Sequence, residues 1–395
     1  MARQLIIPFL ITANYQTSLA IRQLRGELAQ LPAELTALRA ASAEVYALGA
    51  MGLFSFGMLA VGAQQLASAL ASAQRMAALA AIASGQFAAA QSASSAILRE
   101  AAQVAASSTT PLTEVASAYL EAARAGLTLS EASTLVRQAL TLSEVSGTDL
   151  SETVRSLFGV FRNMGIPITK EYADTITSEL SYALDQSIMD LDDFANAMKY
   201  VGPIAGQLRV PLHDLFAALM TLHDAGIRGS IAGTGLARML VRLEAPTATA
   251  RRALAQLGVD WHHLRPSANN LADVIDLLAA SVDELTIRVL LGERAERAFY
   301  AILQQGTDVL REHAAELRRI AKTSTYAQEK LEALYETPAV RLAKAANALR
   351  TYAAQLVEPL LHVQLTILEG LASVVRQINE SPLLRALTRF GIGFT

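Results

Sequence analysis

Residues 111–126, PLTEVASAYLEAARAG, and residues 211–226, PLHDLFAALMTLHDAG, read as one element written twice. Each opens on a proline, whose ring fixes φ for the first turn of a helix and whose missing N–H is not needed there. An acid follows in that first turn, Glu114 or Asp214, against the positive end of the helix dipole. Both copies close on Ala-Gly, Ala125-Gly126 and Ala225-Gly226, and glycine readily takes the left-handed turn that ends a helix. A second Leu-, Ala- and Arg-rich stretch comes next, STLVRQALTL at 133–142 and GLARMLVRL at 235–243, so each copy predicts a helical hairpin. Two copies are too few for a solenoid, and a pseudo-symmetric bundle is the expectation.

The same punctuation recurs around them. Helix ends are marked at Gly147, Gly165 and Gly258, and starts follow Ser130, Asp149 and Thr169. A multi-helix globular domain is expected over 81–300. Composition agrees with an all-α fold: 395 residues include 74 alanines but only 22 glycines and 11 prolines. With 52% hydrophobic residues the chain can bury a core, which excludes disorder. The absence of cysteine excludes disulfides, thiol nucleophiles and the usual structural zinc sites. A net charge of −3 gives no global field for a polyanion, so no sequence-specific nucleic-acid binding is expected.

Long helices are expected on both flanks. In the leader, residues 1–80, Ile21, Leu24, Leu28, Leu31, Leu35 and Leu38 alternate spacings of three and four, a coiled-coil seam interrupted by Pro32. An intramolecular hairpin explains so short a seam almost as well as self-association does. From Val45 to Gln74 there is no charged residue, and the stretch to Ala63, with Val45, Leu53, Phe54, Phe56, Leu59 and Val61, would reach about 28 Å as a helix, roughly a bilayer core. A helix buried all round by protein is the alternative, because the flanks Glu44 and Arg75 lack a basic anchoring cluster. No cleavable signal peptide is evident. In the third region, 301–395, Leu342, Leu349, Leu356 and Val363 recur every seven residues beside Leu360 and Ile367, and the pattern passes in phase through Pro359, as in one kinked helix. Such a seam wants a partner, and a second copy of the chain would serve.

Candidate chemistry is sparse. His213-Asp214 and His223-Asp224 resemble metal-ligand pairs, but on one helix they stand about 15 Å apart, too far for a shared ion. Polar residues on a helix surface are the expected reading. Trp261-His262-His263 follows the helix-ending Gly258 and reads as a capping cluster, with no glutamate at the spacing of a zinc protease. The run GSIAGTGLARML, residues 229–240, lacks the lysine of a phosphate loop, and Arg238 replaces the third glycine of a dinucleotide fingerprint. Its glycines are expected to allow a tight turn and close helix approach. No catalytic residue, cofactor or metal ligand is therefore assigned, and the chain is read as non-enzymatic.

An ordered series of phrases carries a resemblance. EVASAYLEAARAGLTLSEA, VRQALTLSEVSGTDLSETV, the long run from Asp192 to Val259 and LLGERAERAF together cover about Ile97 to Phe299. In this order they resemble the core domain of bacteriophage tail tape measure proteins of the TP901 type. The resemblance implies a structural virion protein in the lumen or tip of the tail tube, made in the host cytoplasm. It further implies a homo-oligomer, with a trimer as the family-level expectation. The implied partners are tail tube protein, distal tip proteins and assembly chaperones, with helix length setting tail length and release at infection aiding genome passage, including contact with the host membrane. A membrane-inserting helical protein forming a conduit in the cell envelope is the alternative expectation. Even a fully helical chain of 395 residues would reach only about 590 Å, so a short-tailed or tail-derived particle, or a piece of a longer measure, is expected.

Overall fold

The computed structural model describes residues 56–85 and 90–354, and every element among them is helical. After α1 (Phe56–Ala83), four hairpins follow one another: α2 (Ala90–Ala106) with α3 (Leu112–Arg124), α4 (Leu129–Ser146) with α5 (Leu150–Met164), α6 (Lys170–Asp185) with α7 (Leu191–Leu208), and α8 (Leu212–Asp224) with α9 (Gly229–Glu244). Local chemistry sets their limits. Asp149, Thr169 and Asp190 each accept a backbone N–H three residues on, as N-caps do. Helix α4 starts two residues before the position expected, because Thr128 and Glu131 form a reciprocal capping box. The duplicated caps are alike: Gly126 and Gly226 have φ of 83° and 80°, and Leu127 and Ile227 donate back to the carbonyls of Ala122 and Leu222.

Each helix lies beside the helix two places later. Glu100 on α2 pairs with Arg137 on α4, Ser117 on α3 meets Ser151 on α5, and Asn163 on α5 donates to the Met198 carbonyl on α7. The odd helices α3, α5, α7 and α9 thus form one row, and the even helices α2, α4, α6 and α8 form the other. This is a short solenoid of hairpins, in which each unit buries its apolar face against its neighbours. The duplicated segments therefore do not mark its repeat. One is α3, in the odd row, and the other is α8, in the even row, so the resemblance is confined to a helix and its cap.

The odd row is drawn tight by missing side chains. A methyl at Gly206 would come within 2.7 Å of the Met164 carbonyl oxygen, and one at Gly233 within 2.7 Å of the Ala197 Cα. Between the rows, Phe194 on α7 and Phe216 on α8 meet edge to face at 5.0 Å, both fully buried. The end of the stack is closed by α10 (Ala248–Gln256), a 3-10 turn (Trp261–Leu264), α11 (Leu271–Ser281), α12 (Glu284–Leu291) and α13 (Glu293–Gln305), which packs on α9.

The chain then turns back. Helix α14 (Thr307–Thr323) lies on α8 and α6, and α15 (Tyr326–Tyr335) lies on α6 and α4. A further helix, α16, covers 338–354, and on it the Asn347 amide donates to the carbonyls of Ala105, Ser108 and Thr110 at the α2–α3 turn. These helices strap the even row from its last member to its first. Packing separates residues 73–348 as one unit from 1–72 with 349–395 as another. Helices α14 and α15 fall within the 73–348 unit.

Candidate assembly surfaces

Helix α16 turns its faces against ordinary expectation. Asn347 is buried, whereas Leu342 and Leu349, seven residues apart, are 72% and 45% exposed. Asn347 is tolerated inside because three carbonyls share its amide; the leucines have no such cover. Exposed leucines at heptad spacing have the geometry of an unpaired coiled-coil seam. The other seam positions, Ile21, Leu24, Leu28, Leu31, Leu35, Leu38, Leu356, Leu360, Val363 and Ile367, lie outside the described residues. So do Val45, Leu53 and Phe54 of the apolar segment, while Phe56, Leu59 and Val61 fall on α1. Among the described residues no helix is long and apolar enough to cross a membrane.

The His-Asp pairs are taken up by packing. His223 is fully buried rather than on a helix surface, which corrects the sequence expectation. Its Nε2 accepts the Gly229 N–H at 3.1 Å, so its Nδ1 carries the proton donated to the Leu219 carbonyl at 2.7 Å. The ring thereby caps the start of α9 across the turn, and Asp224 accepts the Ile188 N–H at 2.9 Å. His213 and Asp214 face Arg318 on α14, whose Nε donates to His213 at 3.2 Å and whose Nη2 lies 3.5 Å from Asp214. Burial holds His213 below the usual histidine range and pushes Asp214 above the usual carboxylate range. Among the described residues no three His, Asp or Glu side chains converge as metal ligands.

The remaining motifs are structural too. Asp260 caps the 3-10 turn that Trp261, His262 and His263 themselves form, and holds the His262 ring at 2.7 Å, with Arg251 5.7 Å above Trp261. Gly233 admits α7, and Gly235, where a methyl would come 3.1 Å from Ala298 Cβ, admits α13, the close approaches expected of that glycine run.

Two features were not singled out from the sequence. Glu179 is 1% exposed with Oε2 unpartnered, and burial, reinforced by Asp214, lifts its carboxyl to about 8. A signal was there: Glu179 falls between Ile176, Leu180 and Ala183 on the apolar stripe of α6. Leu285, Ile231 and Ile188 are the other feature, exposed at 72%, 61% and 55%; short apolar runs do not disclose which member faces out.

The hairpin stack is an all-helical repeat domain, and comparison with known proteins gives its setting. Residues 99–288, from within α2 to within α12, match the family model of phage-related minor tail proteins, so the stretch that resembles that family coincides with most of the hairpin solenoid. The chain is related to tape measure proteins: it is 25% identical over 279 residues to the tape measure protein of Pneumococcus phage Dp-1, covering 68% of this chain and 24% of that relative. It is also 25% identical over 189 residues to the probable tape measure protein of Escherichia phage P2, covering 48% of this chain and 23% of that relative. The chain therefore spans about a quarter of the length of these relatives. No solved structure matches it significantly.

Proposed function

We propose that this chain acts in a phage tail as part of a tape measure: a structural, non-catalytic element, at the lumen or tip of the tail tube, around which tube assembly and tail length are organised. The observation that carries the reading is the family match, which overlies the solenoid from α2 to α12. Physics suits the role, because an α-helix adds about 1.5 Å per residue and so converts chain length into distance. Self-association through the heptad seams would keep such helices together, and Leu342 and Leu349 are its described positions. The partners on this reading are further copies of the chain, tail tube protein, distal tip proteins and assembly chaperones, with release at infection to aid genome passage.

The test is co-expression with tail tube protein from a host phage, read by electron microscopy and sedimentation. Tube polymers that contain the chain are the expected result. A chain that stays monomeric at high concentration and never enters tubes would remove the proposal. Leu342→Lys with Leu349→Lys should lower the oligomer order at unchanged helicity.

A further inference from the structure

We propose that the α14–α15 pair is a proton-controlled latch, seated on α6 while the Glu179 carboxyl carries its proton and lifted off when that proton is lost. The face of α6 beneath the pair is a strip of residues four and three apart: Thr175, Glu179 and Tyr182. Both ends of the strip bind the returning helices. The Thr175 hydroxyl lies 2.7 Å from that of Ser324, at the α14–α15 joint, and the Tyr182 ring meets His313 and Tyr326 edge to face at 6.4 Å and 5.7 Å. Glu179, between them, is 1% exposed and its Oε2 has no hydrogen-bond partner. A neutral acid is tolerated at such a place; a carboxylate without donors is not.

Among the described residues no cation is set against Glu179. From α8, Asp214 adds like charge and His213 is neutral by burial. From α14, Arg318 is engaged by Asp214 and His213, while Arg319 is held by Glu316 at the surface and His313 is held neutral by burial. Tyr326 and Lys330 of α15 are committed to Asp185. The charged groups of α4 are engaged elsewhere: Glu131 with Thr128, Arg137 with Glu100, and Glu144 with Thr109 and Tyr335. Asp273 adds negative charge beyond Asp214 but is paired with Arg311. Once ionised, Glu179 regains water only if the helices above it leave, and α14 is joined to α13 through the single residue Gly306, with φ of 101°. The odd row makes no such demand, so opening is confined to the strap.

Amide exchange of the full chain, corrected for the intrinsic effect of pH, tests this. Between pH 6.5 and 8, the opening constant for α14 and α15 should rise about fifteenfold, near tenfold per pH unit at first and less steeply as the closed-state value of about 8 is reached, with α3, α5 and α7 unchanged. Glu179→Gln should flatten the rise. Thr175→Cys with Ser324→Cys, in a chain with no native cysteine, should flatten it when oxidised and restore it when reduced. A slope that survives Glu179→Gln or the oxidised cross-link would overturn the latch, as would loss of protection in α14–α15 and the odd row together. Should the Gln variant not fold, the oxidised and reduced cross-link pair decides alone.

Discussion

The two rows of the solenoid are built on opposite solutions to one problem. The odd row brings helices close by deleting side chains, so α5, α7 and α9 meet through Gly206 and Gly233, and Gly235 admits α13 against α9. The even row carries polar groups, including Glu179, Asp214 and His213, on the side where α14 and α15 pack. The first arrangement is intolerant of added volume. The second is sensitive to charge, because its buried groups are stable only in one protonation state. A tight spine and a titratable flank thus coexist within one packing unit.

The comparison can be broken most severely where the rows meet. Phe194→Ala removes one half of the edge-to-face pair that joins α7 to α8, and a loss of about 3–5 kcal/mol is expected in urea unfolding. Gly233→Ala probes the odd row alone. The added methyl collides with the α7 backbone, for an expected loss of about 1–3 kcal/mol, whereas Gly159→Ala, with open space around it, should lose nothing by crowding. If the two glycine variants melt alike, the spine is not held by close approach.

The even row is addressed by pH. Folding raises Glu179 from 4.5 to about 8, so the native state holds a proton that the unfolded chain has released. Its contribution is complete below pH 4.5 and is lost as pH rises through 8, at about 1.4 kcal/mol per pH unit. His213 and His313 are depressed in the fold and act oppositely, losing stability as pH falls below 6.5. The window from 6.5 to 8 is therefore the clean one, and denaturation there should show declining stability that Glu179→Gln removes. The smallest effect is expected outside both rows. Arg311→Ala deletes exposed pairs to Asp273, Asp276 and Asp308, and should change stability by less than about 1 kcal/mol, less still at high salt.

Much of the local structure is legible in the sequence. Pro111, Pro211, Gly126, Gly147, Gly165, Gly226 and Gly258 mark helix limits because proline and glycine act through their own backbone conformations, independent of what packs nearby. The glycine run at 229–235 reads correctly as a device for close approach for the same reason. Leu342 and Leu349 recur at heptad spacing in the sequence and lie exposed, and a seam between copies is the proposal built on them. His223 is misread as a surface residue because its partners, the Leu219 carbonyl and the Gly229 N–H, are backbone groups with no sequence signature. The 100-residue duplication is real in its caps and misleading in its architecture, since α3 and α8 occupy different rows.

The amino-acid order alone carried the helical character of the described residues and where their helices start and stop, because those depend on contacts within a turn or two of the chain. Only the tertiary structure decided that the hairpins stack in two rows, that α14 and α15 double back over one of them, and that Glu179 is sealed beneath. Those facts depend on which surfaces meet across tens to hundreds of residues, and burial of that kind is a property of the assembled neighbours rather than of any local pattern.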